Sequence, residues 1–133
     1  MAEQVHGDVA AGYGAVADEF RRNFTERREL GAAMAVVRHG ELVVDLWGGH
    51  RDRKRTTPWE RQTLVTVWST TKGMAATAMA VAHSRGHTGS GGSFAFADPE
   101  TGTGYAYVMN RAGYSLPADP RELALRRALE TVG

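Results

Sequence analysis

Val9, Tyr13, Val16, Phe20 and Phe24 are spaced by four, three, four and four residues, the stripe of an amphipathic helix. This spacing predicts a helix from Asp8 to Arg28, with Asp8 as N-cap and Gly31 just past its end. Asp18, Arg21, Arg22 and Arg28 mark its solvated face. Two apolar runs follow, Ala33 to Val37 and Leu42 to Trp47, separated by Arg38-His39-Gly40-Glu41. That is a β-hairpin pattern in which Gly40 supplies a positive φ at the turn. The runs are continuous rather than alternating, so both faces of this sheet are expected to be covered. Gly48-Gly49 closes the second strand, and the charged stretch His50 to Gln62, which contains Pro58, reads as a surface loop.

Leu64 to Trp68 is a short apolar entry into Ser69 to Arg85, whose alanines and methionines predict a buried helix stopped by Gly86. His87-Thr88-Gly89-Ser90-Gly91-Gly92 is a tight glycine-rich link. Ser93 to Ala97 and Gly104 to Asn110 are strand-like and are joined by a turn over Asp98 to Thr103. Asp119, Pro120 and Glu122 occupy N-cap, N1 and N3 of a last helix whose apolar side is Leu123, Leu125, Ala128, Leu129 and Val132. Trp47, Trp68, Phe96, Tyr105 and Tyr107 read as core aromatics, and Asp98, Glu100 and Asp119 as turn and cap residues. The order of elements predicts an α+β fold, an antiparallel β-sheet with helices packed on it.

Composition narrows the function. A chain of 133 residues, 42% hydrophobic, suits a single domain over 1–133. A net charge of +1, with arginines spread along the chain, gives no field for nucleic acid or for an anionic membrane. The absence of cysteine excludes a disulfide framework, a thiolate zinc site and a thiol nucleophile. No apolar run approaches the roughly 20 residues of a membrane span. The opening MAEQVHGDVA lacks the basic and apolar regions of a secretory signal, so the expected location is cytoplasmic. His83 and His87 make a poor zinc pair, because Gly86 breaks the helix between them and no carboxylate intervenes.

The sharpest local feature is Ser69-Thr70-Thr71-Lys72 at a predicted helix start. Positions i and i+3 share a helix face, which brings the Lys72 amine toward the Ser69 hydroxyl. A serine becomes nucleophilic when an adjacent base takes its proton, and a desolvated lysine can serve. The bland alternative makes Ser69 an N-cap and Lys72 an ordinary solvated residue. Against it, Lys54 and Lys72 are the only lysines among sixteen Lys and Arg, and Lys72 sits among small apolar neighbours. The glycine-rich His87-Thr88-Gly89-Ser90 could offer backbone N–H groups to an oxyanion, or could be only a turn.

Together and in this order, VWSTTKGMAATAMAVAHSRG and HTGSGGSFAFADPETGTGYAYVMNRAG resemble the serine β-lactamase-like superfamily. The resemblance is to its class C-like branch, with the family VIII carboxylesterases and penicillin-binding-protein-like hydrolases. It implies that Ser69 is the acylated nucleophile and that Lys72 assists proton transfer. It implies an oxyanion hole from the backbone N–H groups of Ser69 and Ser90, with His87, Thr88 and Gly89 as the substrate-binding third motif. The family's Tyr-x-Asn motif is absent: fourteen residues separate Lys72 from His87, and Tyr105, Tyr107 and Asn110 do not reproduce it.

The fold so implied is a shortened β-lactamase-like domain. Helices at the two ends of the chain pack on one sheet face and the Ser69 helix on the other, with 1–86 and 87–133 as its two parts. The implied function is serine hydrolysis of an ester, or of an amide or β-lactam, with a small-molecule substrate and no metal or organic cofactor. The alternative is a non-catalytic domain. In either case Met74, Ala78, Met79 and Val81 would leave an apolar helix face that favours a homodimer.

Overall fold

The computed structural model describes residues 4–67, 70, 87–88, 91–113 and 118–132, with 87 and 88 described by their backbone. The elements are β1 (Val5–Val9), α1 (Gly14–Glu26), β2 (Gly31–Arg38), β3 (Glu41–Gly49), β4 (His87–Thr88), β5 (Phe94–Asp98), β6 (Thr103–Met109) and α2 (Pro120–Glu130). The six strands form one antiparallel sheet in the order β1-β3-β2-β6-β5-β4. β2 pairs with β6 from Ala32↔Met109 to Arg38↔Thr103, so the early hairpin and the late one share a ladder at the sheet centre. The predicted helix from Ser69 to Arg85, including Met74, Ala78, Met79 and Val81, lies outside the described residues, as do Trp68 and His83.

Alternation along the strands sorts the two sheet faces. Ala32, Met34 and Val36 of β2, Val44 and Leu46 of β3, and Tyr105, Tyr107 and Met109 of β6 turn to one side. Tyr13, Val16, Phe20 and Phe24 of α1 and Leu125 and Ala128 of α2 close over them as one core. Each large side chain buried here contributes about 1.5–3 kcal/mol. Arg126 of α2 lies 4.9 Å over the Phe94 ring, and Phe96 stacks on Tyr105 at 5.2 Å. The opposite face carries small residues at the alternate positions, among them Ala33, Ala35, Ala95, Ala97 and Ala106. Its cover is incomplete among the described residues, since Val37 and Leu42 remain exposed.

The hairpin turn forms as expected, with Gly40 at φ +84 and His39 beside it at φ +50. The chain start differs from the reading of the spacing. Asp8 is not a helix cap: it lies in β1 opposite Asp45 of β3. The step of four from Val9 to Tyr13 mimics a helical stripe, but Gly12 at φ +91 turns the chain between them. Helix α1 therefore starts at Gly14, with Tyr13 as N-cap, and Val9 packs on the core from a strand. Nor does Gly31 end that helix. Arg28, at φ +57, makes the left-handed turn out of α1, a place glycine usually holds, and Gly31 opens β2. The surface loop after Gly49 also sinks one residue into the protein: Trp59 is buried and its backbone N–H donates to the Gly49 carbonyl at 2.8 Å.

At the N-terminus of α2, Asp119 caps as predicted, accepting from the Arg121 backbone N–H at 2.9 Å. Its second role was not in the capping pattern. The Arg121 guanidinium donates to Asp119 through Nε (2.9 Å) and Nη2 (2.8 Å), to Glu29 Oε1 through Nη1 (2.8 Å), and to the Gly91 carbonyl through Nη2 (3.3 Å). The Tyr107 hydroxyl donates to Glu29 Oε2, and Leu30 N–H to Glu29 Oε1. Glu29 and Tyr107 are fully buried, and Arg121 is 4% exposed. Burial pushes the Glu29 carboxyl above its usual pKa, with the Arg121 charge opposing it.

Removing one partner of a buried charge cluster strands the others. Arg121→Met is expected to cost about 3–5 kcal/mol of unfolding free energy, read from urea denaturation. A loss below 1 kcal/mol would show that the cluster is dispensable. Burial also raises the Glu122 pKa, against the Arg126 charge. Glu122 therefore binds a proton more readily folded than unfolded, and its contribution to stability is lost as pH rises from about 4.5 through its folded pKa. Glu122→Gln is expected to gain stability relative to the parent between pH 5 and pH 8. A pH-independent difference would refute this assignment.

Candidate active site

The two motifs singled out in the sequence are reached through the residues that flank them. Ser69, Lys72, Gly89 and Ser90 lie outside the described residues, while the backbone of His87 and Thr88 and the whole of Thr70 lie within them. The Thr70 backbone N–H donates to the Val67 carbonyl at 3.1 Å. Its side chain is buried, and its hydroxyl lies 2.8 Å from the Ser93 hydroxyl and 3.2 Å from the Ser93 carbonyl. The Ser93 hydroxyl in turn donates to the Val67 carbonyl at 3.2 Å. The second residue of Ser69-x-x-Lys72 is thus tied to a residue three positions after Ser90. Spacing could not have shown this link, since Thr70 fills an unspecified position of its motif and Ser93 lies outside the other.

The other side of the site is a strand edge. His87 and Thr88 form β4, paired as His87↔Ala95 and Thr88↔Phe94, and not merely the start of a glycine-rich link. β4 is the last strand of the sheet. Gly91 and Gly92 return the chain to β5 at φ +101 and +111. A side chain at Gly92 would stand 2.5 Å from Asp119 Oδ2, so only glycine lets this turn close on the Asp119–Arg121 pair. The Gly91 carbonyl accepts from Gly113 N–H at 2.7 Å as well as from Arg121. The buried charge cluster therefore positions the chain beside Ser90.

Beside Gly91 and Ser93 lies a cavity of about 260 Å³, bordered also by Val65, Thr66, Met109, Asn110 and Ala112. Asn110 Nδ2 donates to the His50 carbonyl at 2.8 Å, while its buried Oδ1 has no partner among the described residues. Tyr105 and Tyr107 lie on the helix face of the sheet, away from this cavity, with phenol pKa values pushed up by burial. Neither stands in for the absent Tyr-x-Asn. Among the described residues no group of three or more His, Cys, Asp or Glu could hold a metal, and no helix is long and apolar enough to cross a membrane.

Residues 17–87, just over half of the chain, match the Beta-lactamase family. Over 74 residues the chain is 39% identical to "Esterase/beta-lactamase LipL" of Mycobacterium tuberculosis (strain ATCC 25618 / H37Rv), covering 56% of this chain and 17% of that relative. A family VIII carboxylesterase of known structure is 45% identical with a TM-score of 0.55, covering 57% of this chain and 21% of its own. A penicillin-binding-protein homologue from Caulobacter crescentus is 42% identical with a TM-score of 0.53, at 57% and 20% coverage. The chain thus spans about a fifth of the length of these proteins.

Thr70→Val and Ser93→Ala each leave a buried polar group without its partner and are expected to lower stability by about 1–3 kcal/mol. The double variant should cost less than the sum of the two, by about 1 kcal/mol in a double-mutant cycle. Strict additivity would mean that the two hydroxyls do not act on each other.

Proposed function

The chain belongs to the Beta-lactamase family, and on that footing we propose that it is a serine hydrolase cleaving ester bonds through an acyl-enzyme on Ser69. The observation that carries the proposal is the buried Thr70–Ser93 link, which joins the segment next to Ser69 to the segment next to Ser90. In this reading the Ser69 hydroxyl attacks the substrate carbonyl while Lys72 accepts its proton. The backbone N–H groups of Ser69 and Ser90 receive the oxyanion of the tetrahedral intermediate. Lys72 returns the proton to the leaving alcohol, and water then releases the acid from Ser69. The cavity of about 260 Å³ beside Ser93 offers room for a small acyl group.

Ester substrates fit better than β-lactams because His87 stands where the family's third motif carries lysine. The similarity to a carboxylesterase and to an esterase/β-lactamase points the same way. His87, Thr88 and Gly89 would line the substrate side of the site from the β4 edge, and the reaction calls for no metal or organic cofactor. The alternative, a domain that keeps the sheet without catalysing, is favoured by one feature of the chain: the fourteen residues between Lys72 and His87 leave no place for the Tyr-x-Asn motif.

Intact-mass analysis after incubation with a fluorophosphonate probe separates the two readings. A single adduct is expected, absent from Ser69→Ala and diminished in Lys72→Ala. A cooperatively melting protein that takes up no probe would overturn the hydrolase reading and leave the non-catalytic one.

A further inference from the structure

The Asp119–Arg121 pair does more at the start of α2 than cap it. The Asp119 carboxylate stands where two separate turns close. A side chain at Gly92 would come within 2.5 Å of Asp119 Oδ2, and one at Gly113 would overlap the same oxygen. The backbones of these turns are joined as well, with Gly113 N–H donating to the Gly91 carbonyl at 2.7 Å. Arg121 Nη2 reaches that carbonyl from α2 at 3.3 Å, so Gly91 is fixed from two sides. Only Gly89 and Ser90 separate Gly91 from Thr88, which the ladder holds opposite Phe94 of β5. The chain is therefore anchored on both flanks of Gly89-Ser90.

Arg121 holds the Gly91 carbonyl with donors left over from its ion pairs. Nε meets Asp119 Oδ1, Nη1 meets Glu29 Oε1, and Nη2 divides its two N–H groups between Asp119 Oδ2 and Gly91. A lysine ammonium has the same charge, but as a single point it cannot span three acceptors spread around a planar fork. A buried ion pair adds little net stability over a well-packed apolar pair of similar volume. What it supplies here is direction, since charge-assisted hydrogen bonds fix a group more narrowly than apolar contacts do.

Resting on the hydrolase reading, we infer that Arg121 and Asp119 are positioning residues for acyl transfer. Through Gly91 and Gly92 they hold the Ser90 backbone N–H where the substrate oxyanion forms. Both side chains are buried and act through the turn. The oxyanion charge develops only on the way to the transition state, so a displaced donor lowers kcat and leaves KM in place.

The rate of fluorophosphonate labelling, followed by intact mass on the full chain well below its melting temperature, tests this role. Arg121→Lys is expected to lower the rate constant about tenfold to a hundredfold, as a misplacement of roughly 1 Å does, while the whole sample is labelled in the end. Asp119→Asn keeps a capping side chain and loses the charge. It should slow labelling in the same way, and it carries the test if Arg121→Lys does not fold. With a small activated ester the loss should fall on kcat, with KM within about twofold of the parent's. Arg38→Met is the control: Arg38 donates to the Val132 carbonyl at 2.6 Å and so supports the far end of α2. Its rate constant should stay within about twofold of the parent's.

A merely structural role would lower the fraction labelled and leave the rate constant of the folded molecules unchanged, which would overturn the inference. Unchanged rate constants in both variants, or an equal fall in Arg38→Met, would do the same. A cooperatively melting parent that takes up no probe overturns the hydrolase reading and the positioning role with it. A parent that is labelled, with Arg121→Lys and Asp119→Asn labelled as fast, overturns the positioning role alone.

Discussion

A guanidinium buried between two carboxylates is the interaction on which the rest of this fold depends. Burying each ion costs several kcal/mol, and the cost is recovered only when nearly every donor and acceptor finds a partner. Here Arg121 reaches Asp119, Glu29 and the Gly91 carbonyl at once, and Tyr107 donates its proton to the far oxygen of Glu29. Those partners come from α2, the junction of α1 and β2, the turn before β5, and β6. A shift in any one of these elements would leave a charge unpaired in the core. The cluster therefore sets the register of α2 against the sheet more sharply than the apolar contacts around it, which tolerate small displacements.

The same cluster connects stability to the candidate site. The Gly91 carbonyl held by Arg121 stands one residue after Ser90, and Gly92 closes against Asp119. Two residues on, Ser93 ties this segment to Thr70 and Val67. A path of buried polar contacts thus runs from the C-terminal helix to the neighbour of the candidate nucleophile. In the proposed hydrolase, oxyanion stabilisation needs donors held in place before the reaction begins, and this path of polar contacts is the support such donors would have.

Layering explains where Val67 and Thr70 sit. The helix side of the sheet is filled with Phe, Tyr, Met and Leu, while the other side is lined by alanine and glycine. Small residues let a covering segment approach closely. Val67, just before the Ser-x-x-Lys motif, and Thr70, its second residue, border a cavity of about 420 Å³ on that side together with Ala35, Ala95 and Ala106. The motif is thus entered from the small-residue side of the sheet, with the charge cluster on the other.

What was legible in the sequence follows the range of the forces involved. The hairpin with Gly40, the strands near 94–98 and 103–109, the Asp119 cap and the apolar stripes of both helices depend on neighbours a few residues apart, and periodicity reports them. The Ser-x-x-Lys and His-Thr-Gly motifs were visible for the same reason. β1 was hidden because a spacing of four across Gly12 imitates a helix, and an edge strand draws its hydrogen bonds from a partner some forty residues away. Arg28 in the place of a glycine could not be read either, since its conformation answers to the chain beyond it. The pairing of Glu29 with Arg121 and the link from Thr70 to Ser93 were decided by the tertiary structure alone. Charges and hydroxyls act through space at a few ångströms, and only the folded chain sets which of them come that close.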